Sequence, residues 1–245
     1  MTGNASIREE RATLPTADGP MSSYVAAPSS TGPHPALVVV QEAFGVNEHI
    51  RDVCRRFARA GYVALAPEIF HREGTGIEIP YSDMPPAMEQ LALLTNAGLE
   101  QDLAAALAHL RARADVDPSR VGVVGFCVGG FAAFLAACRL DPAATISFYG
   151  GGIVRPRSGL ALEPLLDEAD GIRAPLLCQF GSADGGIPPA DVDAIRARLL
   201  ALGGDHEVVV HEGAKHAFFC DMRPAYHPEA AQAAWERTLA WFARM

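Results

Sequence analysis

Apolar and polar positions along this chain alternate between two periods, and the alternation predicts strands and helices in turn. Residues 35–41, Pro-Ala-Leu-Val-Val-Val-Gln, form a continuous apolar run of the kind that marks a strand buried on both faces. Residues 48–60 place Val53, Phe57 and Ala60 at spacings of 4 and 3, which predicts a helix ending at Gly61. Residues 62–67 read as the next strand, and residues 71–84, rich in Gly, Pro and acidic residues, as an irregular excursion. Helices follow over about 85–95 and 98–113, then a short buried strand over 120–125 and an apolar helix over 128–137. Strands at 144–149, 175–180 and 207–210 are separated by a Gly-rich irregular stretch, 150–171, and a helix, 188–202. The stretch 150–171 is a candidate pocket-lining loop. A last helix, 228–245, puts Trp235, Leu239 and Phe242 on one face. Residues 10–14 and 21–27 read as strands around the turn 16–20, an antiparallel hairpin signalled by Asp18-Gly19. The whole predicts an α/β fold: a mostly parallel sheet covered by helices, with the hairpin at one end and no linker dividing residues 1–245 into two domains.

Between the strand at 120–125 and its helix stand Gly125-Phe126-Cys127-Val128-Gly129. Strand, sharp turn and helix around G-x-nucleophile-x-G are the nucleophile elbow of the α/β-hydrolase fold, with cysteine in the usual serine position. The helix N-terminus would aim its field at the thiol and favour a thiolate. A small buried cysteine in a Gly-rich β-α turn is the alternative reading of the same five residues.

Composition narrows the setting. Hydrophobic residues make up 49% of the 245, yet no run approaches a membrane span, and the first ten residues lack a signal-peptide core. Five widely spaced cysteines do not suggest a disulfide framework. A net charge of −9 without a basic patch disfavours nucleic acid and anionic membranes as partners. The expectation is a soluble cytoplasmic protein, a monomer or small homo-oligomer.

A thiol nucleophile needs a base, and the base an orienting carboxylate. In the α/β-hydrolase order, nucleophile, acid and histidine each follow a strand. Asp184 follows the strand at 175–180, and His216 follows the one at 207–210. Asp191, Asp193 and Asp205 are rival acids, and His206, His211 and His227 rival bases, all less well placed relative to strand ends. A metal reading of His211, His216 and Cys220 lacks zinc-like pair spacing and a fourth ligand. The glycines around Cys127 do not have G-x-G-x-x-G spacing, which excludes a dinucleotide loop. Gln41-Glu42-Ala43-Phe44-Gly45 ends the strand that faces the elbow, so the Val128 and Ala43 N–H groups are the expected oxyanion donors. Glu42 is a carboxylate at the end of a buried strand, costly unless paired or chemically active. Bonding to nearby backbone is its other reading.

Residues 41–47, the elbow 125–130, Asp184 and residues 215–218, Lys-His-Ala-Phe, together resemble the dienelactone hydrolase (carboxymethylenebutenolidase) family over about residues 10–245. The resemblance implies attack by Cys127 on an ester carbonyl, an acyl-enzyme, His216 held by Asp184 as the proton partner, and Glu42 in switching the thiol to a thiolate. It also implies ring opening of lactones or enol-lactones without cofactor or metal. Best-known members hold the substrate carboxylate with two arginines; here Cys220 occupies one position, and the excursion around 71–90 offers only Arg72. Arg72, Lys215 and Arg223 are candidate substitutes. Phe44, Tyr81, Phe219 and Met222 are candidate apolar contacts, with core packing as the alternative for each. A carboxylesterase with a less acidic substrate, an acyl or thioester transferase, and a thiol-based binding or redox-sensing module remain competing readings.

Overall fold

The Asp-Gly turn does form a hairpin in the computed structural model of this chain, which describes residues 6–245. β1 (Ile7–Thr16) and β2 (Gly19–Pro28) pair antiparallel from Ile7↔Pro28 to Thr16↔Gly19. The turn is tighter than the expected 16–20. Gly19 adopts φ 115°, so only Ala17 and Asp18 lie outside the ladder and pairing continues through Pro15 and Pro20.

The rest alternates as the pattern predicts: β3 (His34–Val40), α1 (Glu48–Arg59), β4 (Val63–Pro67), α2 (Met84–Leu93), α3 (Asn96–Arg111), β5 (Val116–Phe126), α4 (Val128–Arg139), β6 (Thr145–Phe148), β7 (Leu176–Gly181), α5 (Pro189–Leu202), β8 (His206–His211) and α6 (Pro228–Phe242). β5 starts earlier than the expected 120, because Val116 already pairs with His34 across a register shift in β3. The stretch 150–171 is irregular until a 3-10 turn over Leu166–Gly171.

All eight strands join one sheet in the order β1-β2-β4-β3-β5-β6-β7-β8. β2 meets β4 antiparallel, and every pairing from β4 to β8 is parallel. Helices cover both faces, and β4, β6 and β7 are buried at every residue, as a doubly covered parallel sheet requires. The predicted face of α6 packs on α1, with the Phe57 ring 4.7 Å from Trp235 and 6.2 Å from Phe242. Among the described residues no helix is long and apolar enough to cross a membrane.

This topology fixes where chemistry can occur. β5 is central, between β3 and β6, so its carboxyl end and those of its neighbours gather at one rim of the sheet.

Candidate active site

Cys127 follows the last residue of β5 and caps α4, with φ 58° and ψ −116°. A side chain rarely adopts this backbone, and the flanking glycines show what makes it possible. A Cβ on Gly125 would overlap the Gly129 carbonyl oxygen, and one on Gly129 would lie 2.5 Å from the Gln41 carbonyl oxygen. The Gly129 N–H donates to that same Gln41 oxygen at 3.1 Å, tying the elbow to the loop after β3. The Cys127 N–H donates to Phe148 O at 3.1 Å, tying it to β6. Val128 is the first residue of α4, where an N–H has no intrahelical acceptor. Val128 and Ala43 both border the cavity into which Cys127 opens.

The Asp184 and His216 loops are joined through backbone: the Ala183 N–H donates to Ala214 O at 2.9 Å. Asp184 Oδ2 lies 2.7 Å from His216 Nδ1, while its Oδ1 accepts the Gly186 N–H at 2.8 Å. Burial works against a charged His216. The neighbouring Cys127 side chain and the Asp184 carboxylate outweigh it and push the His216 pKa up to about 10. His216 is thus favoured in its protonated form between the Cys127 side chain and Asp184. The imidazole resonance of His216 is therefore expected to titrate with a midpoint near 10. In Cys127→Ala, removing this neighbour should move that midpoint down; an unchanged midpoint would show that the Cys127 side chain does not contribute.

The remaining thiols differ. Burial pushes Cys54 and Cys178 well up, Cys138 to about 12 and Cys220 to about 11, leaving Cys127 as the one partly exposed cysteine among the described residues.

Glu42 is 1% exposed. Its Oε1 accepts the Tyr149 hydroxyl at 3.1 Å, while Oε2 has no hydrogen-bond partner and lies 3.7 Å from Arg223 Nη1. The Glu42 carboxylate is thus held by side chains rather than by nearby backbone. Tyr149 was not anticipated. It is fully buried, follows β6 with φ 37°, and sets its ring 5.0 Å from that of His216. Burial first, then the charges of Glu42, Cys220 and Cys127, raise its pKa well above the ordinary value. Cys127, Tyr149 and Ala217, which follows His216, are the three non-glycine residues with positive φ among the described residues. Backbone strain is concentrated around Cys127, Tyr149 and His216.

The thiol opens into a cavity of about 400 Å³. Phe44, Cys127, His216 and Arg223 line it, as do Met84, Met88 and Leu91 of α2. The loop 150–171 contributes Gly151, Arg157, Ser158, Leu160 and Leu162, in accord with the sequence expectation; Arg157 is a cation that the sequence reading passed over. The Arg223 guanidinium stacks over the Phe44 ring at 5.1 Å and the Tyr81 ring at 5.4 Å.

Other candidates are placed elsewhere. Arg72 faces away from this cavity: its Nη1 lies 2.8 Å from Asp102 Oδ2 and its Nε 2.7 Å from Asp18. Asp102 is fully buried and also bonded to His71 at 3.0 Å, so Arg72 neutralises a core carboxylate. Arg72→Ala is accordingly expected to cost about 3 kcal/mol of stability, read as a lowered denaturation midpoint, with KM unchanged. Phe219 is core, stacked on Phe126 at 5.4 Å. Tyr81 is a support: its hydroxyl accepts from Asn47 Nδ2 at 3.0 Å and from the Cys220 thiol at 3.3 Å, with its ring 4.8 Å from that of Phe44. Met222 and Lys215 are exposed outside the cavity lining. His211 bonds Gln179 Oε1 at 3.0 Å, His216 bonds Asp184 and the Cys220 thiol bonds Tyr81, so the three residues of the metal reading have separate partners, while His227 caps α6. Asp191, Asp193 and Asp205 pair with Arg155, Arg196 and Arg244.

An eight-stranded, mostly parallel sheet with a strained strand–turn–helix after its central strand defines an α/β-hydrolase fold. The chain matches the Dienelactone hydrolase family over residues 21–245. It is 38% identical over 240 residues to a protein of Synechocystis sp. provisionally named a carboxymethylenebutenolidase, covering 96% of each chain. A similarly named protein of Methylorubrum extorquens is 39% identical over 231 residues, 94% of this chain and 78% of that one. Among solved structures, a provisionally named dienelactone hydrolase from Klebsiella pneumoniae superposes with a TM-score of 0.88 at 36% identity, covering 98% of this chain and 100% of that one. The chain belongs to the dienelactone hydrolase family and is a hydrolase.

Proposed function

We propose that this protein hydrolyses carboxylic esters or lactones through a thioester on Cys127, with His216 and Asp184 completing a triad. The observation that carries the reading is the arrangement at the rim: a cysteine held at φ 58° at the helix N-terminus, lining one cavity with a histidine whose Nδ1 meets a buried carboxylate. Cys127 Sγ attacks the carbonyl carbon as thiolate, and the developing oxyanion is met by the Val128 and Ala43 N–H groups. The carbon–oxygen bond to the leaving group then breaks as His216 transfers its Nε2 proton to the departing oxygen, which leaves the imidazole neutral. The neutral imidazole next removes a proton from water, which attacks the thioester and releases acid and thiolate.

A thiolate is a strong nucleophile, and an enolate or similarly acidic leaving group needs little protonation, which suits this site to activated esters and lactones. Glu42 takes part in controlling the thiol: Tyr149 bonds Glu42 and lies in the field of both Glu42 and Cys127, so a substrate that disturbs Arg223 or Tyr149 changes the charge facing the thiol. Phe44 and Arg223 contact substrate, and Arg157 supplies a further cation at the cavity. No cofactor is needed for these steps.

The test is product analysis. Dienelactone and aryl esters are incubated with the enzyme, with and without an added alcohol, and the quenched protein is examined by mass spectrometry. Acid as the sole product, with an acyl mass on the peptide containing Cys127, is expected. Ester formed with the alcohol would indicate an acyltransferase, and acyl mass elsewhere would remove Cys127 from the role.

A further inference from the structure

One wall of the cavity has no part in the steps above. α2 carries Met84, Met88 and Leu91 at spacings of 4 and 3, so one stripe of the helix faces the thiol cavity. Met84 and Met88 are nevertheless 44% and 39% exposed, and α2 buries only Ala87 and Leu91 among its ten residues. Leu160 and Leu162 face the same space from the loop after β6. A stable fold does not require two methionines in an open cavity, and an apolar surface left uncovered beside a reactive group marks a place where ligand completes the packing. Methionine suits that role because its flexible thioether adapts to chains of different shape. The polar part of the lining, His216, Ser158 and the two arginines, comes from elements other than α2.

We propose that this wall is an acyl-chain subsite: the enzyme prefers esters whose acyl part carries an unbranched apolar chain, laid between α2 and Leu160/Leu162. The inference rests on the hydrolase reading above. The leaving group departs past His216, which protonates it, so the arm that stays bonded to Cys127 is the one that lies along the apolar wall.

The experiment is a series of aryl acetate, butyrate and hexanoate esters, with kcat/KM measured for each. Burial of each added methylene should raise kcat/KM about threefold, so that hexanoate exceeds acetate by up to about 100-fold. Met88→Asp and Met84→Asp should collapse the hexanoate-to-acetate ratio towards one, and Met88→Leu should retain it. A second readout does not need turnover: Cys127 alkylation by N-alkyl iodoacetamides should accelerate with alkyl length in the wild type and lose that dependence in Met88→Asp. Hydrolysis of every ester with a flat chain dependence would overturn the subsite and leave the hydrolase reading intact. Chain-dependent alkylation without hydrolysis of any ester would overturn the hydrolase reading and retain the subsite. A flat response in both assays would overturn both.

Discussion

Cys127→Ala should lower turnover by about 10⁴-fold or more while the protein stays folded, because removing the nucleophile of a triad costs nearly as much as removing all of it. Stability should be retained for a geometric reason. The strained backbone at φ 58° and ψ −116° is imposed by the neighbours, through the Gly129 to Gln41 and Cys127 to Phe148 hydrogen bonds, and alanine has the same Cβ as cysteine. Cys127→Gly serves as the matched control. It should be equally inactive yet more stable than Cys127→Ala by about 1 kcal/mol, since glycine adopts this conformation without the Cβ clash. Parallel kcat and thermal denaturation measurements on the two variants separate chemistry from strain. Appreciable turnover in either would remove the thiol from the mechanism.

Gly129→Ala should have the largest effect on the fold. The added methyl would lie 2.5 Å from the Gln41 carbonyl oxygen and overlap that of Val40, and neither backbone atom can move without parting α4 from the loop after β3. Overpacking of this kind costs about 3 kcal/mol or more when the opposing atoms are backbone. Any protein that does fold should have lost rate as well, because the same separation draws the Ala43 N–H away from that of Val128. The check is denaturant unfolding combined with kcat. A variant with a wild-type midpoint would show that the elbow and β3 are less closely joined than the Gly129 to Gln41 hydrogen bond indicates.

The ends of strands were legible in the sequence because the apolar runs are continuous and each stops at glycine or a polar residue. That pattern placed Cys127, Asp184 and His216 at the same rim before any coordinates. Side-chain direction was not legible. Arg72 and Arg223 look alike as isolated cations in loops, but Arg72 meets the buried Asp102 while Arg223 reaches Glu42 and Phe44. Only the packing of α3 against the sheet, which buries Asp102, decides between them. Phe219, two residues past Ala217, turns into the core against Phe126. Tyr149 was hidden for another reason: it closes an apolar run, where an aromatic residue reads as core. The three glycines that follow it are the available signal, since they mark the end of the strand and let the chain turn with Tyr149 at positive φ.

The four residues at the rim come from positions 42, 127, 184 and 216, each at the end of a different strand. No two of them share a hairpin or a helix, so no local stretch of chain can assemble any part of the site. Parallel pairings of this kind close long loops before they gain contacts, and they form late in folding. Recovery of activity during refolding should therefore lag the return of helical signal and coincide with completion of the central sheet. The enzyme's turnover is a report on its global topology, and a partly folded chain carries a cysteine but no catalyst.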